Sequence, residues 1–202
     1  MKKPPLLIIF SLSILRFVLI ACLVLYLLGP VKGEVFSTIT EETSFPDNPE
    51  ASMNLTSTAF SYGESIPVKY SCKGENVSPP LAWDEPPAGT ISLALLMDDP
   101  DAPMGTWVHW VLFNVPTEAR GLPEGMQTKP TLADGSVQGV TSARSTGYHG
   151  PCPPSGTHRY FFKLYALDTT LNLSSSADKK AVLAAMEGHI LAQAELMGTF
   201  SK

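Results

Sequence analysis

The sequence predicts a mainly β domain that ends in a helical unit and follows an export segment and a polar linker. Three observations carry this reading. Apolar runs of strand length recur between Met53 and Leu167. Clusters of Gly and Pro separate them; the 202 residues hold 15 Gly and 18 Pro, as expected of many tight turns. Apolar spacings of three and four gather near the C-terminus.

Lys2 and Lys3 precede an apolar stretch from Leu6 to Leu28, broken by Arg16. Phe17 to Leu28 suits the h-region of a signal peptide and falls short of the roughly 20 residues a bilayer span needs. Val31-Lys32-Gly33 then offers a cut before Glu34. Alternatively, Arg16 snorkels and the whole stretch anchors the chain. Residues 1–33 are therefore read as a signal peptide or a membrane anchor. Either way the domain is expected outside the cytoplasm: extracellular, periplasmic, or on the outer face of the cell membrane. Leu19-Ile20-Ala21-Cys22 resembles a lipobox, but the apolar run continues to Leu28, where a lipobox cysteine would end it. Residues 34–52, EVFSTITEETSFPDNPEAS, form a solvated linker. The domain occupies residues 53–202, without an internal repeat or a second domain.

Within it, Met53 to Ser57 alternates apolar and polar, and so does Ile66 to Tyr70. Ile91 to Met97 is nearly continuous in apolar residues, which predicts a central strand. Trp107 to Val115 and Arg159 to Leu167 are two more long strands. Ser78-Pro79-Pro80, Pro86-Pro87-Ala88-Gly89 and Gly150-Pro151-Cys152-Pro153-Pro154 punctuate them. At the end, Ser175 or Ser176 caps a helix with Asp178 in its first turn. Leu183, Met186, Ile190, Ala194 and Met197 continue its apolar face, with Gly188 dividing it into two short helices.

Charge and cysteine narrow the class. Net charge is −5, and no basic block stands outside the N-terminus, so nucleic acid is not an expected partner. A mildly acidic domain must hold any anion by a few placed donors, not by its overall field. With Cys22 in the export segment, Cys72 and Cys152 remain in a domain bound for an oxidising compartment. A bridge between them would close a loop of about 80 residues and contribute roughly 3–4 kcal/mol in the chain-entropy model; two unrelated buried thiols are the alternative. Asn54, Asn76 and Asn172 open glycosylation sequons, which matter only in a glycosylating pathway.

The residues able to carry chemistry lie in two places. Asp98-Asp99-Pro100-Asp101-Ala102-Pro103 follows the apolar strand directly and makes a rigid acidic corner, with His109 inside the next strand. Far along the chain, Gly156-Thr157-His158-Arg159-Tyr160 leaves a Gly/Pro loop and opens another strand. Taken singly each has a plain explanation: a solvated turn, a core histidine, a connector. Periodicity does not show that they meet.

Together they resemble a known family. Asp99-Pro100-Asp101-Ala102-Pro103 with Trp107-Val108-His109-Trp110 is similar to the first signature of the phosphatidylethanolamine-binding protein (PEBP) family. Gly150 to Tyr160 is similar to the second. Asn76-Val77-Ser78-Pro79-Pro80-Leu81-Ala82-Trp83 and Gly188-His189-Ile190-Leu191 resemble the bacterial and archaeal branch, labelled Raf-kinase-inhibitor-like (YbhB/YbcL-type). The resemblance runs from about Met53 to the C-terminus. It implies a large antiparallel sheet with a smaller sheet and a C-terminal helical unit. It also implies that both signatures converge on one surface pocket, lined by Asp99, Asp101, His109, His158 and Tyr160, with Pro154 on the wall and the Gly150 backbone at the rim. A cis peptide near the aspartates, with Ala102–Pro103 as candidate, is a further implication. His149 is expected at the rim and His189 within the helical unit. Cys152 interrupts the proline run of the second signature.

The implied function is binding of a small anionic ligand, phosphate-like or a phospholipid head group. An aspartate beside a histidine raises the histidine pKa and fixes its tautomer, aiming an outer N–H at the anion. Anion affinity is then expected to fall as pH rises from about 6 to 8. Two other functions compete. The same surface fits an inhibitor, with a serine protease the better partner for an exported domain. Two Asp and two His also suit a divalent metal and hence a metal-assisted hydrolase. Ser155 and Thr157, however, show no activation as nucleophiles. The reading adopted is a binder, not an enzyme, without cofactor or metal.

Overall fold

In the computed structural model, which describes residues 53–202, the chain runs through β1 (Leu55–Thr56), β2 (Leu81–Trp83), β3 (Ser92–Asp99) and β4 (Trp107–Val115). It continues through β5 (Gly121–Leu122), β6 (Val137–Gln138), β7 (Thr157–Leu167), helix α1 (Lys179–Met186) and β8 (Ile190–Ser201). The expectations for residues 1–33 and 34–52 lie outside the described residues.

Every side chain of β3 is buried, so β3 belongs at the centre of a sheet covered on both faces. It lies between β4 and β7 in the five-stranded antiparallel sheet β6-β4-β3-β7-β8. A three-stranded antiparallel sheet, β1-β2-β5, is separate. This is the mainly β architecture that the sequence predicts, with the one large and one small antiparallel sheet that the family resemblance implies.

The period of two along a strand sorts the core into two layers. Leu93, Leu95 and Met97 join Trp110, Leu112, Phe162 and Leu164 in a cluster that includes Leu55, Leu81 and Trp83 of the small sheet. Ala94 and Leu96 face the other way, onto Val111, Phe113 and the Val182 and Met186 of α1. Each fully buried Leu or Phe contributes about 1.5–3 kcal/mol of transfer free energy. The same alternation puts Asp98 on the α1 side and Asp99 on the other.

Asp98 is almost fully buried, and Lys179 of α1 meets its Oδ2 at 2.6 Å, with Lys163 at 3.7 Å. Its Oδ1 has no hydrogen-bond partner among the described residues. Lys179→Ala would leave this carboxylate with only the longer contact. Urea denaturation is expected to show a loss of about 1–3 kcal/mol; an unchanged midpoint would mean the pair is dispensable.

The structure corrects three sequence expectations. Ile66 to Tyr70 is not a strand: Val68–Tyr70 makes a 3-10 turn, with Tyr70 N–H donating to the Pro67 carbonyl at 3.0 Å. Pro67, with φ −58°, lacks the N–H a ladder needs, and Val68 is exposed. The helix cap is Asp178, not a serine; its Oδ1 accepts from Ala181 N–H at 2.9 Å. The predicted second helix is strand β8, in which Ala192, Ala194, Leu196 and Phe200 are buried at every second or fourth position. Gly188, at φ +79°, turns the chain from α1 into it. His189 is consequently exposed, bonded to Asp168 at 2.7 Å instead of packed within a helical unit.

Candidate functional site

The site begins with an irregularity in β4. Trp110 pairs with Met97 and Val108 with Asp98, so His109 stands between them without a cross-strand partner. This β-bulge re-aims one side chain, a device frequent beside functional sites. β7 pairs continuously along β3, and its first buried residue, His158, lies on the Asp99 face.

Three side chains converge as a result. Asp99 Oδ2 and His158 Nδ1 are 2.7 Å apart, and both groups are nearly buried. A carboxylate only accepts, so His158 Nδ1 carries the hydrogen. His109 Nδ1 is 2.6 Å from the His149 carbonyl. Burial drives the His109 pKa down to about 4, against the smaller upward pulls of the His149 carbonyl and Asp99. His109 is therefore neutral where the sequence argument expects a second charged imidazole. The reason is desolvation, which outweighs the neighbouring carboxylates.

A rim segment, Tyr148 to Cys152, is tied to the segment Tyr70 to Asn76. Tyr148 Oη donates to the Tyr70 carbonyl at 2.7 Å, and Cys72 N–H to the Pro151 carbonyl at 3.1 Å. Cys72 and Cys152 are bridged, with their Cα atoms 5.5 Å apart. Gly150 N–H donates to Asn76 Oδ1 at 2.8 Å. A Cβ on Gly150 would stand 2.4 Å from the Tyr70 carbonyl oxygen, so only glycine permits this approach.

These elements enclose a cleft of about 560 Å³. Asp99, His109, His149, Gly150, Pro154 and His158 line it, with Ala102 to Trp107 on one wall. Met104 is fully exposed and Trp107 is 42% exposed on that wall.

Two predicted lining residues are placed elsewhere. Asp101 turns away to Arg159 and accepts from Nε at 2.9 Å and Nη2 at 2.7 Å. These bonds hold its pKa down to about 2. Tyr160 is buried behind His109, ring edge to ring face with centroids 5.2 Å apart. Its hydroxyl has no hydrogen-bond partner among the described residues, and burial followed by the nearby Asp99 raises its pKa. Gly150 lines the cleft, but its N–H is already spent on Asn76. The expected cis peptide is also absent: every peptide bond among the described residues is trans. The corner instead turns through Asp101 N–H on Asp99 Oδ1 at 2.9 Å and through Gly105 at φ +100°.

No group of three His, Cys, Asp or Glu side chains among the described residues has metal-binding geometry. Asp99 and Asp101 each serve another partner.

The family model for phosphatidylethanolamine-binding protein matches residues 56–201. The chain belongs to the phosphatidylethanolamine-binding protein family. Its relatives place it in the bacterial and archaeal branch. A UPF0098 protein of Methanothermobacter thermautotrophicus is 54% identical over 150 residues, covering 74% of this chain and 99% of the relative. A UPF0098 protein of Chlamydia muridarum is 47% identical over 155 residues, covering 74% and 99%. Among solved structures, CT736 of Chlamydia trachomatis, a PEBP homolog, is 46% identical with TM-score 0.69, covering 75% of this chain and 98% of that one. YbcL of E. coli, described as a member of the mammalian PEBP family, is 32% identical with TM-score 0.71, covering 75% and 99%.

In this member of the PEBP family, sequence reasoning missed Ser142 and the structural part of Asn76. Ser142 lines the cleft and its Oγ accepts from Val108 N–H at 2.9 Å, next to the bulge. Nothing in its surroundings in the sequence signals this. Asn76 has φ +56°, a conformation asparagine tolerates, which offers a faint clue.

Proposed function

We propose that the protein binds a small oxyanion, phosphate-like or the head of a phospholipid, in the cleft between His109 and His158. Membership of a family whose name denotes a phospholipid ligand supports binding of a small ligand in general. The observation that carries the finer reading is the Asp99–His158 pair at 2.7 Å. Asp99 holds the Nδ1–H of His158 inward, which leaves the outer Nε2 edge for a ligand; as an imidazolium the ring donates from that edge to an anion. An imidazole donates from both nitrogens only as the imidazolium, so an affinity that rests on such a donor is expected to weaken between about pH 6 and pH 8. The wall from Ala102 to Trp107, with Met104 and Trp107 exposed, suits a head group that carries an apolar chain.

The reading fits an exported domain. Cys72 and Cys152 are both exposed, and an exposed bridge persists in an oxidising compartment. Titration calorimetry of the full-length chain with phosphate and phosphoethanolamine, at pH 6 and pH 8, tests the function. Binding at pH 6 that weakens at pH 8 is expected. Absence of binding by both ligands at both pH values would refute it.

A further inference from the structure

The inner hydrogen bonds of the two cleft histidines dictate what their outer edges can do. A carbonyl only accepts, so His109 Nδ1 must carry the hydrogen in its 2.6 Å contact with the His149 carbonyl. A neutral imidazole protonated on Nδ1 has a bare lone pair on Nε2. The buried side-chain polar atoms without a partner, among the described residues, are Asp98 Oδ1 and the Tyr160 hydroxyl. The His109 Nε2 is not one of them and has no hydrogen-bond partner among the described residues, so it reaches the cleft that His109 lines.

The groups packed against His109 are known. Asp99 comes from β3, Tyr160 and His158 from β7, and His149 from the rim, while Asp98 acts on the ring only through its charge from the other face of β3. The carboxylates favour a charged imidazole, yet burial dominates and keeps the ring neutral. Among the described residues the lining contains no Lys or Arg, and Asp99 is its carboxylate. A dianion would therefore set a lone pair against the lone pair of His109 and add a second negative charge near Asp99.

We infer that the cleft selects oxyanions that still carry one proton, such as phosphate monoester monoanions, whose O–H donates to His109 Nε2 while the charged oxygens face His158. This rests on the anion-binding reading above and makes His109 a specificity-determining residue. The site reads the protonation state of its ligand as well as its shape, since an unmatched lone pair in a buried site is costly.

The test holds the protein's own titration fixed by working at neutral pH with the purified full-length chain. Calorimetry compares methylphosphonate, which largely keeps its last proton there, with trifluoromethylphosphonate, which has lost it because fluorine withdraws electrons. Methanesulfonate against trifluoromethanesulfonate, both monoanions without a proton, measures the effect of bulk alone. After that correction methylphosphonate is expected to bind about tenfold tighter or more. Nitrogen NMR of the His109 ring should show Nε2 unprotonated and accepting when methylphosphonate is bound. Equal or reversed affinities, or a protonated Nε2, overturn the selection and leave the anion site standing. If neither phosphonate binds, both readings fall.

Discussion

Replacing His158 by alanine is expected to weaken phosphate binding at pH 6 by about a hundredfold. Among the described residues His158 is the cleft imidazole with a carboxylate partner, and the lining has no Lys or Arg to substitute for it. A charge-assisted hydrogen bond in a partly desolvated site contributes about 1.5–3 kcal/mol, and its loss leaves the anion beside an Asp99 that has lost its histidine partner. Asp99→Asn should have a smaller effect of about tenfold, because it weakens the bond that holds Nδ1–H of His158 inward and leaves the ring in place. Calorimetry on the two variants, with thermal denaturation as a check of folding, separates these cases. Unaltered affinity in a folded His158→Ala variant would show that the anion is held elsewhere.

The second large effect is on stability. His109 has its pKa lowered from 6.5 to about 4 in the folded protein. Below pH 6.5 the unfolded chain therefore takes up a proton that the folded chain refuses until about pH 4. Stability contributed by neutral His109 is full above pH 6.5 and is lost as pH falls towards 4, by up to about 3 kcal/mol. Carboxylates also titrate in the lower part of this window, so the informative quantity is the difference between wild type and His109→Gln. Urea denaturation at pH 6.5 and pH 4.5 should show the wild type losing more stability than the variant. Equal losses would mean that His109 is charged in the folded protein or is not buried as described.

How far these features could be read from the sequence depends on the kind of signal that encodes them. β3, β4 and β7 were legible because each is a long apolar run whose burial on one or both faces leaves little choice of partner. The two signature segments were legible as chemistry, and the antiparallel pairing of β3 with both β4 and β7 explains why segments so far apart in sequence meet. β8 was misread because Leu183, Met186, Ile190, Ala194 and Met197 carry a helical spacing straight across Gly188. Its true period of two rests on Ala192, Ala194 and Gly198, small residues that give a weak alternation. Local propensity also favoured a helix there, and pairing with β7 along its whole length overrode it.

Within the site, residue identity was easier to read than residue role. Asp99 and Asp101 look equivalent in the acidic corner. Their difference comes from Arg159, which captures Asp101 from the neighbouring strand and leaves Asp99 to His158. Tyr160 and His158 sit two residues apart on the same face of β7, yet Tyr160 falls one layer deeper, behind the His109 ring. The tautomer and neutrality of His109 come from a bulge and from a backbone carbonyl of the rim. Neither leaves a trace in the sequence around position 109.

The most direct test is a crystal structure of the protein grown with phosphate at about pH 6. The expected result is a tetrahedral anion in the cleft, within hydrogen-bond distance of both His109 Nε2 and His158 Nε2, with the Asp99–His158 contact kept. An empty cleft, or phosphate bound only at other surfaces, would contradict the account.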